Sequence, residues 1–282
     1  MTNVFVSIDM EGIAGISTLQ QVWRGSDDFP ASRRLMTLEA NAAVEGAFQG
    51  GASSVVVNDS HGDMYNLLPE ELDPRAELLT GTPKPWSMMQ GFGSDFGAAL
   101  FIGYHASAGT EAAVLDHTYS GRLLYEVRLN GEAVGEAELN AALAGTYGVP
   151  VGLVTGDDKA CSQAAKRLPG VRTIMVKEAY GRGVARNMHP SAAREAIRKG
   201  SADATRAAVA GELKPFRLDP PFVLEADLAN SSAADLCAIA PGCVRAGGRT
   251  VRFEDDDFRQ VFRCLLTWTY LGASEAPRYA GT

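Results

Sequence analysis

Several things are scarce in these 282 residues, and each scarcity excludes something. No apolar run approaches the ~20 residues that a membrane-spanning helix requires. The amino terminus enters an apolar run with neither a basic flank nor a small-residue cleavage site, so no signal peptide is expected. Basic residues are outnumbered, 26 Lys and Arg against 34 Asp and Glu, for a net charge of −8. A surface of that sign repels phosphate backbones and anionic lipid, which sets nucleic acid and membranes aside as partners. There are only four cysteines, Cys161, Cys237, Cys243 and Cys264, without CxxC spacing or the pattern of a disulfide framework. Reduced thiols in a cytoplasmic protein are the expectation. Neither the glycine-rich phosphate loop nor the serine nucleophile elbow occurs, so nucleotide hydrolysis and serine hydrolysis lose support. Histidine is scarce too, at four residues, which makes the position of each one informative.

What is present is the composition of a folded domain, 46% hydrophobic and 21% charged. Short apolar runs at Val4–Ile8, Ser54–Val57, Leu100–Gly103, Val151–Thr155 and Val171–Val176 read as strands buried on both faces. They alternate with helical patterns over Ser32–Phe48 and Asp158–Leu168, the signature of βα units around a parallel sheet. Leu123–Leu129 alternates imperfectly and reads as a strand of another, partly exposed sheet, followed by an Asn130-Gly131 turn and a helix over Glu136–Tyr147. Beyond Gly183 the pattern predicts helices over Pro190–Ala210, Ser232–Ile239 and Asp256–Leu271, with strands at Phe222–Ala226 and Thr250–Phe253. The expected fold class is therefore α/β: a parallel-sheet Rossmann-like core with a second, smaller α+β lobe. Residues 1–115 and about 148–185 would form the core. Residues about 116–147 and 186–282 would form the lobe.

Ligands of parallel α/β sheets gather at the carboxyl ends of the strands. Here those ends read Asp9-Met10-Glu11-Gly12, Asn58-Asp59-Ser60-His61-Gly62, Gly103-Tyr104-His105 and Gly156-Asp157-Asp158. Asp9 and Glu11, two apart, would share a face if the strand continued through them. Paired carboxylates repel and are costly to bury unless a cation compensates them. An isolated D-x-E is more often a cap and a surface acid, but His61 and His105 at neighbouring strand ends change the balance towards a metal site. Carboxylate and imidazole without thiolate suit Zn²⁺, Mn²⁺ or Co²⁺ in a catalytic role, and the number of groups favours two ions over one. Other candidates have plainer competing readings. His117 is a turn residue or an acid–base group, and Glu136 is a first-turn helix acid. Asp157-Asp158 can serve as an N-cap. His189 reads as a capping or surface residue, and the Glu254–Asp257 run as a solvated helix start.

The set of segments Ser7-Ile8-Asp9-Met10-Glu11-Gly12, Val57-Asn58-Asp59-Ser60-His61, Gly103-Tyr104-His105 and Gly135-Glu136 resembles the zinc D-aminopeptidase (DppA) family. Thr37–Asn41, Lys84–Met88, Leu139-Asn140-Ala141 and Thr155–Asp158 extend the resemblance in the same order, densest over residues 4–160. It implies two zinc ions per chain, bridged by Asp9 and completed by Glu11, His61, His105 and Glu136. It also implies that Glu11 partners His105 and His61 partners Glu136, with His117 as the catalytic histidine. The stretch between His105 and His117 is one residue longer than the family spacing. A homodecamer with active sites facing an internal channel, and hydrolysis of D-amino-acid-containing di- and tripeptides from the N-terminus, are implied as well. The alternatives are a metal-dependent aminopeptidase acting on L-peptides, an inactive peptide-binding homologue, and a dinuclear-metal phosphoesterase. The last would need basic groups around the site, and no Arg/Lys cluster adjoins these motifs.

Overall fold

The computed structural model describes residues 2–275. The predicted strands appear as β1 (Thr2–Ile8), β2 (Ala52–Asp59), β4 (Phe96–Tyr104), β7 (Val151–Asp157) and β8 (Arg172–Gly181), with β3 (Ala76–Leu79) and β9 (Val184–Asn187) at the edges. They form a seven-stranded sheet in the order β3-β2-β1-β4-β7-β8-β9, parallel except for the β8–β9 pair. The chain winds from β1 outward to β2 and β3, then returns to the other flank of β1 with β4. That reversal opens a crevice at the carboxyl ends of β1 and β4, the place where such sheets bind ligands.

A second, five-stranded antiparallel sheet has the order β11-β12-β10-β5-β6. It comprises β5 (Leu124–Leu129), β6 (Glu132–Ala133), β10 (Phe222–Leu228), β11 (Val244–Arg245) and β12 (Thr250–Asp255). Strand β10 shows why this sheet has one wet face: Phe222, Leu224, Ala226 and Leu228 are buried, whereas the intervening residues carry ion pairs such as Asp227 with Arg128. The helices are α1 (Leu19–Val22), α2 (Phe29–Gln49), α3 (Glu136–Thr146), α4 (Asp158–Arg167), α5 (Pro190–Val209), α6 (Ser231–Cys237) and α7 (Phe258–Gly272).

Two cores result. On one face of the parallel sheet, Val4, Val6, Ile8, Leu100 and Leu153 pack under α2 and α5. On the other, Phe5, Phe101 and Val154 meet α3, whose residues 136–145 are all buried, and beyond it α7 and the inner face of the antiparallel sheet. Helix α5 departs from the sequence reading, which groups residues 186–282 with the smaller lobe. Its Ala193, Ile197 and Ala204 belong to the core under the parallel sheet. The two backbones approach closely at Gly46 of α2, where a β-carbon would lie 2.1 Å from the Arg198 carbonyl oxygen of α5. An amphipathic pattern announces that a helix has a partner without saying which one. Residues 276–282 of that expected lobe lie outside the described residues. All four cysteines are free thiols.

Candidate metal centre

Strand β1 stops at Ile8, so Asp9 and Glu11 do not share a strand face. A tight turn brings them together instead: Met10 N–H donates to Asp9 Oδ1 at 2.8 Å, and Gly12 N–H donates to the Gly103 carbonyl of β4 at 2.8 Å. His61 follows β2 and His105 follows β4, as the strand-end argument expects, and Glu136 opens α3 facing the same crevice. All five of these side chains are buried.

Their hydrogen bonds identify what the cluster lacks. A carbonyl can only accept, so His61 Nε2 donates to Val22 O at 2.9 Å. In the neutral ring its Nδ1 lone pair then faces Asp9 Oδ1 at 3.2 Å and Glu11 Oε2 at 3.0 Å. His105 repeats the arrangement with its nitrogens exchanged. Nδ1 donates to Ala106 O at 3.0 Å, leaving Nε2 opposite Asp9 Oδ2 at 3.3 Å and Glu136 Oε1 at 3.4 Å. His105 Nε2 is fully buried and has no hydrogen-bond partner. Each neutral imidazole thus aims a lone pair at two carboxylates, an arrangement that calls for a cation between them. The buried donor set, carboxylate and imidazole without thiolate, fits a divalent transition metal such as zinc. Glu11 lies within hydrogen-bond distance of His61 and Glu136 is 3.4 Å from His105, while ligand atoms of Asp9, Glu11 and His105 also lie within 4.8 Å of one another, so the pairing implied by the resemblance stays available. Strand position alone does not reveal which imidazole turns towards which acid.

Burial lowers the pKa of an imidazole, yet the Glu11 and Asp9 carboxylates overcome this and hold His61 well above its ordinary value. At His105, Glu136 and Asp9 do the same. Burial, then the neighbouring Glu11, push Asp9 up.

His117 reaches the centre at the end of a loop with left-handed residues at Ala112 and Leu115. Its Nδ1 donates to Leu115 O at 2.8 Å, and its Nε2 lies 3.8 Å from Glu136 Oε1. Four other groups have structural duties. Asp59 accepts from the backbone N–H of Leu67 at 2.8 Å. Asp157 caps α4 and accepts from Val114 N–H. Asp158 accepts from Ala179 N–H, and His189 caps α5. The Glu254–Asp257 run divides between the end of β12 and the N-cap of α7.

Residues that the sequence reading does not single out support the centre from behind. Lys177 donates from Nζ to the carbonyls of Glu11 at 2.7 Å and Ile16 at 2.5 Å. Lys84 donates to Asn58 Oδ1 and Asp59 O just before His61. Tyr119 N–H donates to Glu136 Oε1 at 2.6 Å, and a buried chain runs from its hydroxyl through Asn140 and Tyr104 to Ser7. Ser7, Lys84, Tyr104 and Asn140 fall within the segments that carry the family resemblance, which is the sequence signal of this support; Lys177 and Tyr119 lie outside them.

The centre opens into a cleft of about 830 Å³, walled on the far side by Leu266, Thr269 and Tyr270 of α7. Arg24, Arg122 and Arg182 also line it. No Arg/Lys cluster adjoins the motifs in sequence; the arginines that line the cleft come from three separate parts of the chain.

Fold and centre together define a metallohydrolase of α/β architecture with a buried carboxylate–imidazole cluster at the sheet's switch point. Residues 2–267 match the protein family described as D-aminopeptidase. The chain is 37% identical over 274 residues to a D-aminopeptidase of Bacillus subtilis (strain 168), covering 95% of this chain and 97% of that one. It superposes with a TM-score of 0.89 and 34% identity, over 100% of both chains, on the zinc-dependent D-aminopeptidase DppA from Bacillus subtilis, described as a self-compartmentalizing protease. The chain belongs to the D-aminopeptidase family and is a peptide hydrolase by that membership.

Proposed function

We propose that this protein is a dinuclear zinc aminopeptidase that removes the N-terminal residue from short D-amino-acid-containing peptides. The observation that carries the reading is the pair of imidazole lone pairs, at His61 Nδ1 and His105 Nε2, each facing two buried carboxylates. Asp9, Glu11, His61, His105 and Glu136 would hold the two ions. When bound, zinc supplies Lewis acidity at the scissile carbonyl and a water acidic enough to attack near neutral pH. The protein's own residues do the rest. The Leu115 carbonyl fixes the tautomer of His117, so Nε2 is the atom that accepts a proton and returns it to the leaving amine. Tyr119 N–H holds the Glu136 carboxylate in place, and Lys177 fixes the backbone at Glu11.

The relative described as self-compartmentalizing supports a closed assembly here, and the sequence resemblance supports a size of ten subunits. No helix among the described residues is long and apolar enough to cross a membrane, and four free thiols accord with a cytoplasmic setting. The test is hydrolysis of a matched panel of D- and L-dipeptides and p-nitrophenyl phosphate by zinc-reconstituted protein, with elemental analysis and light scattering alongside. D-dipeptide turnover, two zinc ions per chain and a decameric mass are expected. Preferential turnover of the L-panel or of the phosphate ester would overturn the substrate assignment.

A further inference from the structure

The three arginines of the cleft are not equivalent. Arg24 is engaged, with Nε 3.4 Å from the Asp63 carboxylate and its guanidinium 3.6 Å from the centre of the Tyr65 ring. Arg182 donates to both the side chain and the carbonyl of Asp116, each at 2.9 Å. The Arg122 guanidinium makes no ion pair or hydrogen bond among the described residues. It lies 5.8 Å from the centre of the Trp23 ring, and that ring, 59% exposed, lines the same cleft. The preceding residue, Gly121, packs against His117 so closely that a β-carbon there would lie 3.2 Å from His117 Cβ. A free cation on an aromatic platform therefore stands beside the acid–base candidate, in a cleft whose floor is formed by Asp9, Glu11 and Glu136.

We infer that Arg122, seated on Trp23, is the subsite for the terminal carboxylate of a short peptide substrate, an inference that rests on the aminopeptidase reading above. Substrate electrostatics supply the reason. A peptide with its amino end at the metal centre carries its other charge, a carboxylate, into the cleft, where it gives up water contacts and calls for a cationic partner. Arg122 is the arginine of that lining not already engaged by a protein acid. The planar guanidinium fork matches a carboxylate in two parallel hydrogen bonds, a geometry that a lysine does not reproduce. Since each extended residue spans ~3.3–3.6 Å, an arginine at a fixed position also favours peptides that end within a few residues of the scissile bond. The arginine is a specificity group, so its loss acts on substrate affinity rather than on the chemical step.

The experiment compares D-alanyl-D-alanine and D-alanyl-glycyl-glycine with their C-terminal amides, using zinc-loaded wild-type, Arg122→Met and Arg122→Lys proteins. Wild type is expected to show a KM about tenfold lower for at least one free acid than for its amide, narrowing as salt is raised. Arg122→Met should raise the KM of that acid to the level of the amide with kcat within about twofold, and Arg122→Lys should recover part of the difference. Equal KM for acid and amide in the wild-type enzyme would overturn the subsite, as would an Arg122→Met defect of equal size on both. Absence of turnover on all four compounds by zinc-loaded wild type would instead sink the aminopeptidase reading, and the subsite with it.

Discussion

The imidazole rings of His105 and His117 lie face to face, with centroids 3.9 Å apart and planes inclined by 14°. Both rings donate Nδ1–H to a nearby backbone carbonyl, and both present Nε2 to Glu136, at 3.4 Å from His105 and 3.8 Å from His117. Their surroundings separate them. The His105 side chain is 2% exposed and also approaches Asp9, whereas that of His117 is 21% exposed and lines the cleft. On the proposed reading the inner ring would ligate and the outer ring would exchange protons with a substrate.

His117→Ala is therefore expected to lower kcat by ~10²–10⁴-fold while both zinc ions remain. Asp9→Ala, which removes the carboxylate between the two imidazoles, should lose metal and activity together. Elemental analysis and kcat for both variants check this. A His117→Ala enzyme within a few-fold of wild type would return His117 to a turn residue. Loss of one zinc would make it a ligand, a role its closeness to His105 and Glu136 makes sterically available.

The contrast between these two histidines also shows how far the sequence could be read. His61 and His105 were legible because they end apolar runs that can only be interior strands, and the parallel sheet gathers such ends on one edge. Asp9 and Glu11 were legible as a pair for an insufficient reason, since the turn at Met10–Gly12 joins them rather than the strand pleat. The orientation of the two imidazoles was not legible, because it depends on which ring nitrogen finds a carbonyl, Val22 for His61 and Ala106 for His105. The place of α5 was hidden for a related reason: its apolar stripe fits either lobe, and the match of Gly46 to the Arg198 backbone becomes visible only in three dimensions. Long-range polar support such as Lys177 to Glu11, 166 residues apart, leaves no local pattern.

Lys177→Met should weaken zinc binding more than it weakens the fold. The lysine is 1% exposed, and burial lowers its pKa to about 8. Removing that buried charge offsets part of the loss of its two carbonyl contacts, each worth roughly 1–3 kcal/mol when left unmade. The Glu11 backbone then loses its anchor, and zinc affinity is expected to fall by at least about tenfold, with the melting temperature changing little. Zinc titration against a competing chelator reads the first quantity and thermal unfolding of metal-free protein the second. Unchanged affinity would show that the turn at Glu11 holds itself.

Glu39 gives the fold a pH dependence of defined sign. Its carboxyl is 1% exposed, and burial raises its pKa to about 7, against the opposing effect of Ala14 N–H, which donates to it at 2.9 Å. A raised pKa means that the folded state holds the proton more tightly than the unfolded state. The favourable contribution of the protonated carboxyl is complete below the unfolded value of 4.5 and is lost as the pH rises through about 7. The total is about 3 kcal/mol, at 1.36 kcal/mol per unit. Urea unfolding of metal-free wild type should show stability falling between pH 5 and pH 8, and Glu39→Gln should fall by less. Identical slopes for the two proteins would rule this origin out.

The last prediction concerns Gly12, where the two halves of the metal centre are fastened together. Gly12 follows the ligand Glu11 and donates its N–H to Gly103 O at 2.8 Å, immediately before Tyr104 and His105. A β-carbon at Gly12 would lie 2.1 Å from the Tyr104 carbonyl oxygen and 2.4 Å from the Gly103 carbonyl carbon. Both are backbone atoms of a central strand, so no side-chain rotation relieves the overlap. The turn carrying Asp9 and Glu11 must move away from the segment carrying His105. Gly12→Ala is expected to destabilise the protein by about 3 kcal/mol or more, in the range of severe overpacking. Because both displaced segments carry proposed ligands, zinc affinity should drop as well. Gly181→Ala is the matched control, since a β-carbon there meets nothing within 4 Å. It is expected to stay within about 0.5 kcal/mol of wild type. Denaturant unfolding and zinc stoichiometry of the two variants decide the matter. A Gly12→Ala protein as stable as the control, with its zinc retained, would mean that the turn is free to shift without disturbing the ligands.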